Sequence, residues 1–165
     1  SITVEGQRFA IDGLGLRDHS WGPRYWQAIH WYRWLPMNFS RDFAMMVSIT
    51  CAPNGKPHKG GMVLRNGEYV MIRDARIESQ YDADQCQTNL SIWARTDERE
   101  YSVTGKVMSL IPLRNRRKTP DGEELLTRIT EGMTEYTCDG QVGYGLSEYL
   151  DQSVDGVPVG MRTGS

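Results

Sequence analysis

The run Gly13-Leu14-Gly15-Leu16-Arg17-Asp18-His19-Ser20-Trp21-Gly22-Pro23-Arg24 gathers an acid, an imidazole, two guanidiniums and an indole within twelve residues. A carboxylate beside an imidazole can fix its tautomer or raise its pKa, the wiring of a general acid–base pair. The flanking glycines and proline call for a shaped turn rather than a helix or a central strand. Asp18 and His19 are therefore candidate catalytic residues, and Trp21 and Arg24 candidate substrate contacts. Each also has a structural reading. Asp18 can brace the turn through backbone N–H groups, and His19 can hydrogen-bond within a barrel mouth. Arg17 and Arg24 can pair with Asp18 or Glu148, and Trp21 can plug a barrel end.

A second set lies on strand-like segments. In residues 26–35, Ala28, His30, Tyr32 and Trp34 share one face by period two, and Ile29, Trp31, Arg33 and Leu35 share the other. Aromatic bodies with polar tips suit a cavity that orients an apolar ligand, which makes His30, Tyr32 and Trp34 candidate ligand contacts. Core packing accounts for Trp and Tyr equally well, whereas a buried imidazole needs partners. Near the end, Tyr144, Leu146 and Glu148 share a face, and Tyr144 and Glu148 join the candidate set. An inward Glu148 needs a partner, for which Arg17, Arg24 and Arg33 are available; an outward one is simply solvated.

The elements that must position these residues read as strands. Six turn pairs punctuate the chain: Asp12-Gly13, Asn54-Gly55, Asn66-Gly67, Asp121-Gly122, Asp139-Gly140 and Asp155-Gly156. Asn and Asp tolerate left-handed backbone and Gly adopts it freely, so such pairs favour tight hairpins. Between them the pattern predicts strands over 2–11, 26–35, 42–52, 60–66, 68–78, 86–95, 100–113, 124–138 and 141–150. In 42–52, Phe43, Met45, Val47, Ile49 and Cys51 fall on one face. About nine sequentially connected antiparallel strands must dispose of their edges, and closing the sheet does so. The expected fold is all-β, an antiparallel up-and-down barrel spanning 1–150, with a β-sandwich as the rival. Residues 151–165 read as an irregular, exposed tail.

Composition narrows the function. The 165 residues suit one domain, and a net charge of −2 gives no electrostatic case for nucleic acid or an anionic membrane surface. The basic run Arg114-Asn115-Arg116-Arg117-Lys118 reads as a solvated loop. Cys51, Cys86 and Cys138 are far apart without a C-x-x-C, which argues against a disulfide framework or structural zinc and for a reducing, cytoplasmic setting. No apolar run reads as a membrane span or signal peptide. A start at Ser1 that runs directly into a strand pattern suggests a domain of a longer protein. Gly13-x-Gly15 lacks the third glycine of a dinucleotide site, and His19, His30 and His58 lack metal spacing. No cofactor and no metal are expected.

The stretch Gly15-x-Arg17-Asp18-His19-Ser20-Trp21-Gly22 resembles the D-H-x-W-G segment of the AttH-type, hydroxyneurosporene-synthase-like proteins, a group that includes carotenoid hydratases. Gly143-Tyr144-Gly145-Leu146-Ser147-Glu148-Tyr149 resembles their glycine-rich final strand ending in an acid. The resemblance implies a lipocalin-like barrel, commonly two in tandem, with this chain as the C-terminal one beside an N-terminal partner barrel. It also implies a cofactor-independent hydratase, cyclase or isomerase that protonates a lipophilic, terpenoid- or lipid-like molecule. The alternative is a barrel that binds a hydrophobe, or only organises its surroundings, without catalysis.

Overall fold

The structure is a computed structural model that describes residues 1–165 apart from 24, 25, 54, 119–121, 123, 164 and 165. Its strands are β1 (Ile2–Val4), β2 (Gln7–Phe9), β3 (Trp31–Asn38), β4 (Phe43–Cys51), β5 (His58–Arg65) and β6 (Glu68–Met71). They continue with β7 (Asp74–Tyr81), β8 (Gln87–Arg95), β9 (Glu100–Lys118), β10 (Glu124–Cys138), β11 (Gln141–Val154) and β12 (Val157–Pro158). A short helix, α1 (Val159–Thr163), follows. The fold is all-β and antiparallel. The main sheet runs β6-β5-β4-β3-β11-β10-β9-β8-β7, with β12 pairing β11 to one side.

The turn chemistry works where expected. Asn66-Gly67, Asp139-Gly140 and Asp155-Gly156 all hold positive φ and close the β5–β6, β10–β11 and β11–β12 hairpins. Asp12-Gly13 closes no hairpin, because residues 10–22 form no strand. Asn54 and Asp121 lie outside the described residues.

The expected strand over 68–78 is two strands. Ile72 and Arg73 interrupt it, and that break carries the chain from one end of the sheet to the other. The Ile72 N–H donates to the Gly61 carbonyl on β5, and the Arg73 N–H to the Arg95 carbonyl on β8. Lys59 Nζ on β5 reaches Asp74 Oδ1 on β7 at 3.3 Å. The sheet therefore curls until its two ends meet. Among the described residues no ladder joins β6 to β7, so the enclosure is a curled sheet rather than a hydrogen-bonded closed barrel.

Alternation decides what this enclosure contains. Phe43, Met45, Val47, Ile49 and Cys51 are all buried, as their shared face predicts. Ala75 and Ile77 on β7, Leu90 and Ile92 on β8, and Tyr101 and Val103 on β9 complete the apolar core. On β3 the inward residues are Trp31, Arg33, Leu35 and Met37. Arg33 is fully buried and grips Asp151 with two parallel bonds, Nη1 to Oδ2 at 3.0 Å and Nη2 to Oδ1 at 3.2 Å. Its guanidinium lies 4.2 Å from the Tyr149 ring centroid and 5.3 Å from that of Trp31. Burial opposes its charge, but Asp151 holds the Arg33 pKa above the ordinary arginine value. A bidentate buried pair of this kind fixes geometry more than it adds stability.

Residues 151–163 of the expected tail are not irregular: they hold the end of β11, β12 and α1. Asp151 belongs to β11 and is buried, and α1 docks on it through the Gly160 N–H, 2.8 Å from Asp151 Oδ1. Val159 is buried beside it. Other boundaries shift too. Of the expected strand over 2–11, residues 2–9 form the separate β1–β2 hairpin around Glu5-Gly6, and 26–28 form a 3-10 turn ahead of β3. The basic run 114–118 is not a loop but the end of β9, paired with β10.

The glycines of the final long strand have a packing reason. A side chain at Gly145 would overlap the Pro36 carbonyl oxygen of β3, so the β11–β3 ladder needs glycine there. We predict that Gly145→Ala lowers stability by roughly 1–3 kcal/mol in urea unfolding, the cost of overpacking. Gly60→Ala, which meets open space, should change it by less than about 0.5 kcal/mol.

Candidate functional site

With Arg33 and Asp151 turned inward, period two turns Tyr32, Trp34, Glu148 and Leu150 to the outer face of the sheet. The expected ligand face of β3 is therefore not the lining of a hollow interior. The interior is filled, by Arg33, Gln87, Tyr136 and Tyr149 among others. What these residues line instead is a pair of outer grooves.

The larger groove, about 560 Å³, lies between Pro23, Trp26, Ala28 and Ile29 on one side and the outer face of β3, β11 and β10 on the other. Trp26, Ile29, Leu113, Ile129 and Leu150 give it apolar walls, and Tyr32, Glu131 and Glu148 supply its polar groups. Ile129 and Leu150 are only 6% and 3% exposed although they face outward, because residues 26–29 lie across them. Gln152 pins that cover: its Nε2 donates to the Trp26 and Ile29 carbonyls, 2.9 Å each. The Gln152 N–H also donates to the His30 carbonyl, and the His30 N–H to the Cys51 carbonyl. His30 thus ties the cover to the sheet through its backbone.

Two carboxyls meet in this groove. Glu131 on β10 is the direct cross-strand partner of Glu148 on β11, and like charges in that position repel. The Tyr32 hydroxyl donates to Glu148 Oε1. Burial, and then the Glu148 charge, push the Glu131 carboxyl above the usual range. A raised acid beside a hydrogen-bonded carboxylate, with apolar walls, can hold and release a proton.

Trp34 and Tyr144 line the second groove, of about 260 Å³, with Pro36, Met133 and Leu146 below and Leu14 and Leu16 above. It continues along the same outer face, since Met133 and Leu146 are two residues from Glu131 and Glu148.

Asp18 and His19 stand elsewhere. Both are exposed, in the irregular segment 10–22, and Trp21 is 83% exposed. The His19 and Trp21 rings lie 5.0 Å apart, centroid to centroid. Leu14 and Leu16, themselves about half exposed, line the second groove, while Asp18 and His19 are exposed and line neither groove. Arg24 lies outside the described residues. Among the described residues Glu148 has Tyr32 as its hydrogen-bond partner, and Arg33 is committed to Asp151.

Sequence reasoning did not single out Glu131, yet the signal was there. A two-residue turn at Asp139-Gly140 pairs Cys138 with Gln141, and counting back brings Glu131 opposite Glu148. Among the described residues no group of three or more His, Cys, Asp or Glu could hold a metal ion.

The family described as "Domain of unknown function (DUF7064)" matches residues 1–153. The chain belongs to this family. The match takes in every residue of both grooves and Asp151, and stops short of α1. No curated protein and no solved structure matches the chain. Among the described residues no helix is long and apolar enough to cross a membrane.

The raised Glu131 pKa fixes a pH dependence. A carboxyl raised on folding makes ionisation cost more in the native state than in the unfolded chain. The penalty is absent at low pH and develops as pH rises through the carboxyl range. Glu131→Gln should therefore raise Tm near neutral pH, and the gain should vanish as pH is lowered to about 3.

Proposed function

We propose that this domain carries out cofactor-independent acid–base chemistry, a hydration, cyclisation or isomerisation, on a lipophilic, terpenoid- or lipid-like molecule held in the larger outer groove. The observation that carries this reading is the Glu131–Glu148–Tyr32 set within apolar walls. Glu131 gives its proton to an alkene carbon, and the π electrons form the new C–H bond. The Tyr32 and Trp26 rings, both in the groove wall, stabilise the resulting cation. Water then adds, or a neighbouring C–H proton is lost, and a carboxylate of the pair takes up the released proton. We assign the donor role to Glu131 in preference to Asp18 and His19, because those two stand in water.

The AttH-type resemblance supports the same substrate class. The partner barrel it implies is supported by the exposed Ile2, Val4, Phe9 and Ile11, apolar residues in a two-stranded hairpin that is marginal alone. A cytoplasmic setting is supported by the three unpaired cysteines.

A second reading, a barrel that binds a hydrophobe without turning it over, is favoured by the side chains that occupy the interior and by the apolar walls of the open outer grooves. Deuterium labelling separates the two. Isoprenoid alkenes such as geraniol and squalene, incubated with the protein in heavy water, should gain deuterium with the wild type. Glu131→Gln should abolish the gain while retaining binding of the fluorescent lipid cis-parinaric acid. Parinaric acid binding with no deuterium entering any alkene would favour the non-catalytic reading. Absence of binding as well would remove both.

A further inference from the structure

The net charge of −2 conceals an uneven surface. Leu113 on β9 lines the larger outer groove, and the next five residues carry Arg114, Arg116, Arg117 and Lys118. All four cations are exposed, and among the described residues no ion pair holds any of them. Arg117 stands opposite Leu125 across the β9–β10 ladder, on the groove's face, and Arg114 and Arg116 stand opposite Arg128 and Leu126, on the other. Arg114 thus meets like charge across the ladder, a repulsion that an anionic surface relieves. Of the acids beside this end of the hairpin, Glu124 opposes Lys118, the cation furthest along the strand from Leu113. Asp121 and Glu123 lie outside the described residues. Glu131 and Glu148 stand within the groove, where Glu148 accepts the Tyr32 hydroxyl.

The groove has an apolar rim where this basic run begins. Leu113 and Trp26 line the groove and are still 44% and 38% exposed. Ile111, opposite the groove residue Glu131, is 63% exposed. Trp21, two residues before the groove-lining Pro23, is exposed as well. A membrane interface takes up this combination of side chains. Indole rings settle at headgroup level, aliphatic side chains enter the acyl boundary, and Lys and Arg meet the phosphates.

We propose that this rim docks on an anionic phospholipid bilayer, with Trp21, Trp26, Ile111 and Leu113 entering the interface and the cations of 114–118 meeting its headgroups. A bilayer matches the rim better than an acidic protein does, because the cations border the mouth of an apolar groove rather than form a patch of their own. Docked this way, the groove opens onto the acyl chains. The docking does not rest on the acid–base reaction proposed for the groove, and its test reads no turnover.

Vesicle co-sedimentation tests this, with vesicles of phosphatidylcholine alone and of phosphatidylcholine mixed with phosphatidylglycerol. The mixed vesicles should bind the protein, and phosphatidylcholine alone should bind it on the order of tenfold more weakly. The double variant Arg116→Gln/Arg117→Gln removes two exposed charges and should lower binding to the mixed vesicles roughly 25-fold, about fivefold for each. Ile111→Ser, which keeps every charge, should weaken binding to both kinds of vesicle. Sodium chloride at about 0.5 M should remove most of the difference between them. No binding to the mixed vesicles would overturn the proposal, and so would binding that the arginine variant leaves unchanged. Dimerisation in sedimentation velocity without vesicle binding would assign the rim to a second copy of the chain and overturn the proposal too.

Discussion

A guanidinium enclosed by a curled sheet has to be matched, and the match between Arg33 and Asp151 sets the parity of two central strands. Trp31 faces Asp151 across the β3–β11 ladder and Arg33 faces Tyr149, so the inward residues of both strands form one cluster. A slip of one residue would turn that cluster outward and leave the guanidinium facing the wrong side. Because the pair fixes what points in, it also fixes what points out. Tyr32, Trp34, Glu148 and Leu150 reach the outer face for that reason alone. The same carboxylate receives the Gly160 N–H, so the pair ties α1 to the sheet as well.

The filled interior moves the chemistry outside. Among the described residues the enclosure is occupied by Arg33, Tyr136, Tyr149, Gln87 and the aliphatic core. The outer face of β10, β11 and β3 becomes a second apolar layer, roofed by residues 26–29 at one end and by Leu14 and Leu16 further along. Its cover is held by backbone carbonyls bonded to Gln152, not by an extensive core of its own. A carboxyl pair is tolerated there because one member accepts a hydrogen bond from Tyr32 and the other has a raised pKa.

Much of the fold was legible in the chain, and the losses have physical causes. Asn66-Gly67 and Asp139-Gly140 named their hairpins because those residues adopt left-handed backbone readily. Phe43 to Cys51 declared its buried face because one face is uniformly apolar. Trp31 to Leu35 did not, because each face carries a tryptophan and a polar residue. The partner that decides between them, Asp151, lies 118 residues from Arg33. The break at Ile72-Arg73 carries no turn residue, so only the meeting of the sheet's ends reveals it. The run from Gly13 to Pro23 is neither helix nor strand, as its glycines and proline predict, but its leucines, not its Asp-His couple, line a groove on the sheet.

The most direct test of this account is a double-mutant cycle on Arg33 and Asp151, with Arg33→Met, Asp151→Leu and the double variant compared by urea unfolding. Each single change should cost roughly 3–5 kcal/mol, because it strands one buried charge, while the double variant should lose far less than the sum. Losses that simply add would mean that the two residues do not act as a unit. The parity of β3, and the outer groove that follows from it, would then have to be explained some other way.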